Sequence, residues 1–313
     1  MKNWLILLAG TGVLALLPLL GDNYLMRLAT MVAMYVILAQ SWNFIGGLAG
    51  YPSFATAGFF GLGAYTSAVL QGMGVPLFAS WGAGGLAAVI FSALVGGAIL
   101  HLRGHYFAIA SLVTVEVLRE IVNTTPDITG GGMGLNLPIM RMTVAEHATF
   151  FFYSMLAVAF ACMACAIVVH KSKLGFALRC IQQNEDAANI LGVNAYLYKT
   201  IGFGFSAVFA GIAGAIYASW VHYIEPPDVF DVLISVKPLV MVLLGGLGTI
   251  FGPVIGAFIL LTFEEFVWRT FLTVHAAALG VIIVALVLFL PNGVLSLTRE
   301  KLGLRRRAAG EKR

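Results

Sequence analysis

The residues best suited to chemistry lie in a charged segment between two long apolar stretches. Glu185 and Asp186 stand side by side, followed by Ala187, Ala188 and, four residues on, Gly192. Carboxylates favour the first turn of a helix, where the helix dipole stabilises negative charge, and glycine favours the position just past a helix end. The spacing predicts a short exposed helix whose small apolar face consists of Ala187, Ala188, Ile190 and Leu191. That face either docks into a groove of another protein or is simply solvated.

A second set consists of polar side chains inside apolar stretches. Such residues are costly to bury in lipid and often mark solute or ion pathways. The candidates for a substrate path are Asn43, Ser53, Tyr65, Thr114 and Glu116. Glu116 and Arg119 share one helix face at a spacing of three residues. This pair is either a structural ion pair or part of the path.

Motifs of catalysis and of metal binding are missing from the sequence. There is no phosphate-binding loop, no Gly-x-Ser-x-Gly and no His-Glu-x-x-His. The six histidines fall near the ends of apolar stretches, where imidazole usually sits at a membrane interface. Three cysteines cannot form a disulfide framework. We therefore expect no catalytic residue, no bound cofactor and no metal on this chain.

The composition places these residues in a membrane protein. Of 313 residues, 60% are hydrophobic, and no Asp, Glu, Lys or Arg occurs from Leu28 to Leu102. A continuous apolar stretch of roughly 20 residues crosses the hydrocarbon core as a helix. Outer-membrane barrels alternate polar and apolar residues instead. The pattern excludes a soluble enzyme and predicts an all-α polytopic membrane protein.

About ten transmembrane helices or half-helices are expected, and 238–247 would be a short or re-entrant one. The predicted helices are 3–20, 24–46, 52–71, 79–100, 104–124, 148–170, 200–222, 238–247, 252–271 and 273–291. Lys and Arg concentrate on cytoplasmic loops. Placing both termini in the cytoplasm puts 13 basic residues inside and five outside. We therefore expect one transmembrane domain, 1–298, with a cytoplasmic loop at 171–199 and a basic cytoplasmic tail at 299–313.

Small residues recur at helical spacing in the second half of the chain. Ala207, Gly211, Ala215 and Ser219 are four residues apart, as are Ser206, Ala210, Gly214 and Ala218. Such stripes allow helix backbones to approach closely in lipid, either within one subunit or between subunits. Gly-Gly-Leu also occurs twice, at 46–48 and 245–247, either by chance or as a trace of a structural repeat.

Several motifs together resemble a known family. Asp186-Ala187-Ala188-x3-Gly192 is similar to the EAA-x3-Gly coupling motif of ABC importer permeases, with Asp in place of Glu. Further matches are Asn43-x2-Gly46-Gly47-x2-Gly50-Tyr51-x-Ser53, Gly58-Phe59-x-Gly61-x-Gly63-Ala64-Tyr65, Leu102-Arg103-Gly104-x-Tyr106-Phe107, Thr129-Gly130-Gly131-x2-Gly134-Leu135 and Leu244-Gly245-Gly246-Leu247-Gly248. Across residues 24 to 295 the chain resembles branched-chain amino acid permeases, LivM-type rather than LivH-type.

The resemblance implies a transport subunit of the inner membrane that is not itself an enzyme. It implies three kinds of protein partner: a LivH-type second permease, two cytoplasmic ATPases that use ATP and Mg, and an external substrate-binding protein. Membrane lipid would surround the chain. No nucleic-acid partner is implied. The EAA-like residues would couple to the ATPases. Urea and short-chain amide permeases share these motifs, so those solutes remain alternatives. An ion-coupled secondary transporter is less favoured, because only Glu116 is a candidate for ion coupling.

Overall fold

The computed structural model describes residues 2–270 and residue 280. The predicted helix at 273–291, apart from residue 280, and the predicted tail at 299–313 lie outside the described residues. The helices are α1 (Lys2–Leu14), α2 (Asn23–Trp42), α3 (Thr56–Gly72), α4 (Leu77–Ile99), α5 (His105–Asn123), α6 (Pro126–Thr129), α7 (Val144–Lys171), α8 (Lys173–Gln183), α9 (Glu185–Ile190), α10 (Ala195–Val221), α11 (Pro226–Val229), α12 (Leu233–Gly245) and α13 (Gly252–Thr270). A π-helix, Asn43–Gly47, continues α2.

The structure confirms an all-α polytopic membrane protein. Four helical segments of the described chain are long and apolar enough to span a bilayer: Asn23–Gly47, Leu77–Ile99, Val144–Lys171 and Ala195–Val221. The 13 residues of α12 cover only about 20 Å, short of a hydrocarbon core of about 30 Å. This fits the short segment expected near 238–247.

Several helices begin before the apolar runs that predict them. Helix α7 begins at Val144 rather than 148, because Thr143 and Glu146 form a capping box. Helix α10 begins at Ala195 rather than 200, because the Asn194 side chain accepts a hydrogen bond from the Leu197 amide. Helix α12 begins at Leu233 rather than 238. The charged residues Glu146, Lys199 and Lys237 lie within the first five residues of these helices, so boundaries drawn from uncharged apolar runs come too late.

The small-residue stripes pack helix against helix within this chain. Helix α10 lies against α3 and α4. A Cβ atom built on Gly214 would lie 1.9 Å from the Phe60 carbonyl oxygen, and one on Gly63 would lie 2.0 Å from the Gly211 carbonyl oxygen. The backbones of α3 and α10 are therefore in direct contact, as small residues allow in membrane helices.

The two ends of α10 carry different structures. Helix α9 precedes its first residue, and a two-stranded antiparallel ladder follows its last residue. In this ladder β1 (Leu135–Asn136), from the connection between α5 and α7, pairs with β2 (Tyr223–Ile224). Since α10 has 27 residues, these two features lie about 40 Å apart. We call the two ends of the bundle the α9 end and the ladder end.

Candidate functional site

The predicted short helix exists and is built by local capping. The Asn184 side chain accepts a hydrogen bond from the Ala187 amide at 3.0 Å, and α9 runs from Glu185 to Ile190. Gly192 follows with φ +85°, a left-handed conformation that glycine adopts without steric cost. The turn after α9 therefore depends on glycine, as the sequence indicated.

Lys199 at the start of α10 ties α9 to the membrane domain. Its side chain is 2% exposed. The Nζ atom donates hydrogen bonds to Glu185 Oε1 at 2.8 Å, to the Tyr51 hydroxyl at 3.0 Å and to the Leu100 carbonyl at 2.7 Å. A lysine ammonium has three donors, and here each one reaches a different segment of the chain. Sequence reasoning treated Lys199 as a loop residue and missed this contact.

Arg103 and Tyr51 complete the cluster around Glu185. The Tyr51 hydroxyl donates to Glu185 Oε2, and Arg103 Nε lies 3.6 Å from that oxygen. The Arg103 guanidinium also donates two hydrogen bonds to Asp186, at 2.7 and 3.0 Å. Bidentate pairs of this kind are among the stronger side-chain contacts. We name Tyr51, Arg103, Glu185, Asp186 and Lys199 the α9 anchor.

The electrostatics of the anchor keep Glu185 ionised. Burial acts to raise the pKa of its carboxyl, but hydrogen bonds from Lys199 and Tyr51 and the charges of Lys199 and Arg103 outweigh burial and lower it. Burial, with the hydrogen bond to Glu185, raises the pKa of the Tyr51 hydroxyl. The Arg103 hydrogen bond lowers the pKa of Asp186. At neutral pH the anchor therefore holds two carboxylates against two basic side chains.

The two alanines of α9 do not share a docking face, which corrects the sequence-based expectation. Ala187 is exposed, but Ala188 is 2% exposed and packs against this chain. Residues three apart share a helix face, so the inward direction of Glu185 also turns Ala188 inward. The exposed apolar residues are Ile190 and Leu191, at 86% and 81%. They, with Ala187, form the free face of α9.

The proposed path residues occupy separate environments. No hydrogen bond joins any two of the five in the part of the chain that the structure describes. Asn43 is buried and bonds to the backbone of Gly248 and Thr249, and Ser53 accepts from the Ala55 amide. Thr114 donates to the Ala110 carbonyl, one turn earlier in α5.

Glu116 and Tyr65 differ from those three. Glu116 is exposed and lies 3.6 Å from Arg119, the structural ion pair that the sequence offered as one alternative. Tyr65 is buried and stacked on Phe230. Its hydroxyl has no hydrogen-bond partner among the described residues, and an unpaired buried polar group usually has a functional or solvent-related explanation. Tyr65 therefore remains the strongest of the five candidates.

The fold and site define a class of protein: a polytopic α-helical membrane protein with a short helix anchored at one end of its bundle. The chain belongs to the family described as "branched-chain amino acid transport system / permease component", whose model matches residues 24–292. It is a LivM-type permease subunit of an ABC importer. Members of this family are transport permeases rather than enzymes.

Relatives from several bacteria match the chain. The high-affinity branched-chain amino acid transport system permease protein LivM of Escherichia coli (strain K12) is 28% identical, over 93% of this chain and 75% of the relative. LivH of Salmonella typhimurium is 24% identical, over 85% of this chain and 92% of the relative. The nucleoside ABC transporter permease protein NupC of Lactococcus lactis is 43% identical over 51 residues, 16% of each chain. No solved structure matches the chain.

Proposed function

We propose that this chain forms part of the solute pathway of a bacterial inner-membrane importer for branched-chain or related hydrophobic amino acids. The partners would be a LivH-type permease, two cytoplasmic ATPases that hydrolyse ATP with Mg, and an external substrate-binding protein. The observation that carries this proposal is the free face of α9, which is apolar and exposed on a helix fixed to the membrane domain. ATPase closure would push on α9 and alternate access to the pathway.

The proposal is tested by reconstituting the chain with its co-expressed partners in proteoliposomes. Leucine and the external binding protein should stimulate ATP hydrolysis and drive leucine uptake. Urea, acetamide and a nucleoside serve as competing solutes, the last because of the local similarity to NupC. If only urea or acetamide stimulates ATP hydrolysis, the solute would be reassigned, but the protein would still be a subunit of an ABC importer. Uptake driven by an ion gradient without ATP would refute the importer.

The proposed orientation has ten membrane segments or half-segments and both termini in the cytoplasm. In a Cys180→Ser background, single cysteines at Lys173 and Asp228, both exposed positions, are treated with a membrane-impermeant thiol reagent on intact cells. We expect labelling at Asp228→Cys and none at Lys173→Cys until the cells are opened. The opposite pattern would reverse the orientation.

Tyr65 would meet the solute through its hydroxyl. Tyr65→Phe keeps the ring stacked on Phe230 and removes a buried hydroxyl that lacks a partner among the described residues, so the amount of folded protein should not fall. Uptake should fall about tenfold, the effect of losing roughly one hydrogen bond worth 1.4 kcal/mol to a bound group. Ser67→Ala is the control on the same helix. Normal uptake by Tyr65→Phe would remove Tyr65 from the path.

A further inference from the structure

The anchor of α9 continues into a chain of contacts that crosses the α9 end of the bundle. Its first contact is the Lys199 ammonium, which joins α9 through Glu185, the 48–55 segment through Tyr51 and the end of α4 through Leu100. All three donors are occupied, and the side chain is buried. A displacement of α9 must therefore either carry Tyr51 with it or break charge-assisted hydrogen bonds.

A second contact joins the same segment to α8. Gln182 Nε2 donates to the Gly47 carbonyl at 3.2 Å. A Cβ atom on Gly50 would lie 3.0 Å from Gln182 Cγ. Gln182 is three residues from Glu185, across the short junction between α8 and α9. The α8–α9 unit thus holds residues 47–51 at two points.

Residues 47–51 continue the π-helix, and the π-helix contacts the turn between α12 and α13. Asn43, its first residue, donates to the Thr249 carbonyl at 2.9 Å and accepts from the Gly248 amide at 3.0 Å. A Cβ atom on Gly47 would lie 2.8 Å from the Gly248 nitrogen. The segments that carry the two Gly-Gly-Leu sequences meet here, and π-helical turns often occur at functional sites.

We propose that Lys199 is a positioning residue: by holding Glu185 and the Tyr51 hydroxyl together, it lets displacement of α9 pass through residues 47–51 and Asn43 to the 246–249 turn. This inference rests on the proposed function, because the displacement of α9 comes from the ATPases. The turn joins α12 to α13 at the α9 end of the bundle, and its movement would open or close that end of the solute pathway. Gly246 and Gly248 have φ values of +119° and +66°, a conformation that lets the backbone turn where other residues would be strained.

The test compares Lys199→Met with Lys173→Met, a control that removes an exposed lysine from α8. Leu247→Cys, at the exposed residue of the turn, reports on the turn in a Cys180→Ser background. When Lys199 is native, the labelling rate of Leu247→Cys in the assembled transporter should differ between the resting state and the state trapped with ATP and vanadate. Lys199→Met should retain the ATPases and basal hydrolysis but lose this difference. Stimulation by leucine and binding protein should fall about tenfold, within the range of roughly 5- to 150-fold for coupling between sites.

Further variants keep the test decisive if Lys199→Met accumulates poorly. The double variant Glu185→Gln with Lys199→Met removes both charges, so neither charge of this pair stays buried without the other, and it should show the same uncoupling. Asn43→Ala, at the far end of the contact chain, should show it as well. Normal state-dependent labelling and stimulation in Lys199→Met would overturn the inference. Absence of ATPases from the unmodified complex would instead overturn the proposed function, so the two failures are distinguishable.

Discussion

Replacing Ile190 and Leu191 together with aspartate should abolish ATP-dependent uptake and separate the chain from its ATPases. Both side chains are more than four-fifths exposed, so the change does not disturb the packing of this chain. In a partner's groove the two carboxylates would be desolvated without partners, which is strongly unfavourable. Losing an interface hot spot costs about 2 kcal/mol or more, equivalent to binding at least roughly thirtyfold weaker. Co-purification of the ATPases from detergent measures the effect.

The matched control exchanges the two side chains, Ile190→Leu with Leu191→Ile, and keeps the face apolar. It should retain the ATPases and most of the uptake. Transport at the normal rate by the aspartate variant, with ATPases still bound, would show that α9 is not the docking element. Ala188→Trp tests a different contact, because Ala188 is buried against this chain. It should lift α9 from its anchor rather than block the groove.

Gly214→Ala should sharply reduce the amount of folded protein that survives heating. The added Cβ atom would lie 1.9 Å from the Phe60 carbonyl oxygen, and the next atoms it would meet are also backbone atoms of Phe60. Because these backbone atoms cannot rotate aside, α3 and α10 must move apart. Overpacking of this kind costs about 3 kcal/mol. Size-exclusion chromatography of heated, detergent-solubilised protein should show an apparent Tm lower by several degrees.

Gly204→Ala provides the comparison on the same helix. Among the described residues, its Cβ atom would have only the Ser92 hydroxyl oxygen, at 4.0 Å, within contact range. Alanine in an open helical position is more stable than glycine by about 0.5–1 kcal/mol. We expect Gly204→Ala to match or exceed the unsubstituted chain in thermal survival. Equal losses in the two variants would mean that backbone contact between α3 and α10 does not explain the glycine at 214.

Much of the fold follows from the sequence because lipid imposes simple demands. Every backbone group must be satisfied within the bilayer, so long apolar runs become helices, and all four long candidate spans coincide with predicted ones. Hydrophobicity predicts starts for α7 and α10 that are too late, because the polar residues Thr143 and Asn194 cap these helices ahead of the apolar runs. Capping depends on side-chain geometry that hydrophobicity does not register.

The site was less accessible to sequence reasoning. The existence of α9 and the turn at Gly192 followed from local chemistry, since acidic residues, N-cap and glycine act within a few residues of one another. The anchor did not, because Tyr51 and the Leu100 carbonyl lie 148 and 99 residues from Lys199 in sequence. A basic residue beside an apolar run looks like a loop residue until its distant partners are known. Which face of α9 is free depends on those same partners.

Helix α10 carries the anchor at its first turns and the β1–β2 ladder just beyond its last residue. This single helix therefore connects movements at the α9 end with movements at the ladder end. Linkage then requires reciprocity: if docking of a protein at the ladder end changes nucleotide affinity at the α9 end, nucleotide must change docking affinity by the same factor. A titration of the binding protein with and without nucleotide would thus report on the ATPases from the opposite side of the bilayer.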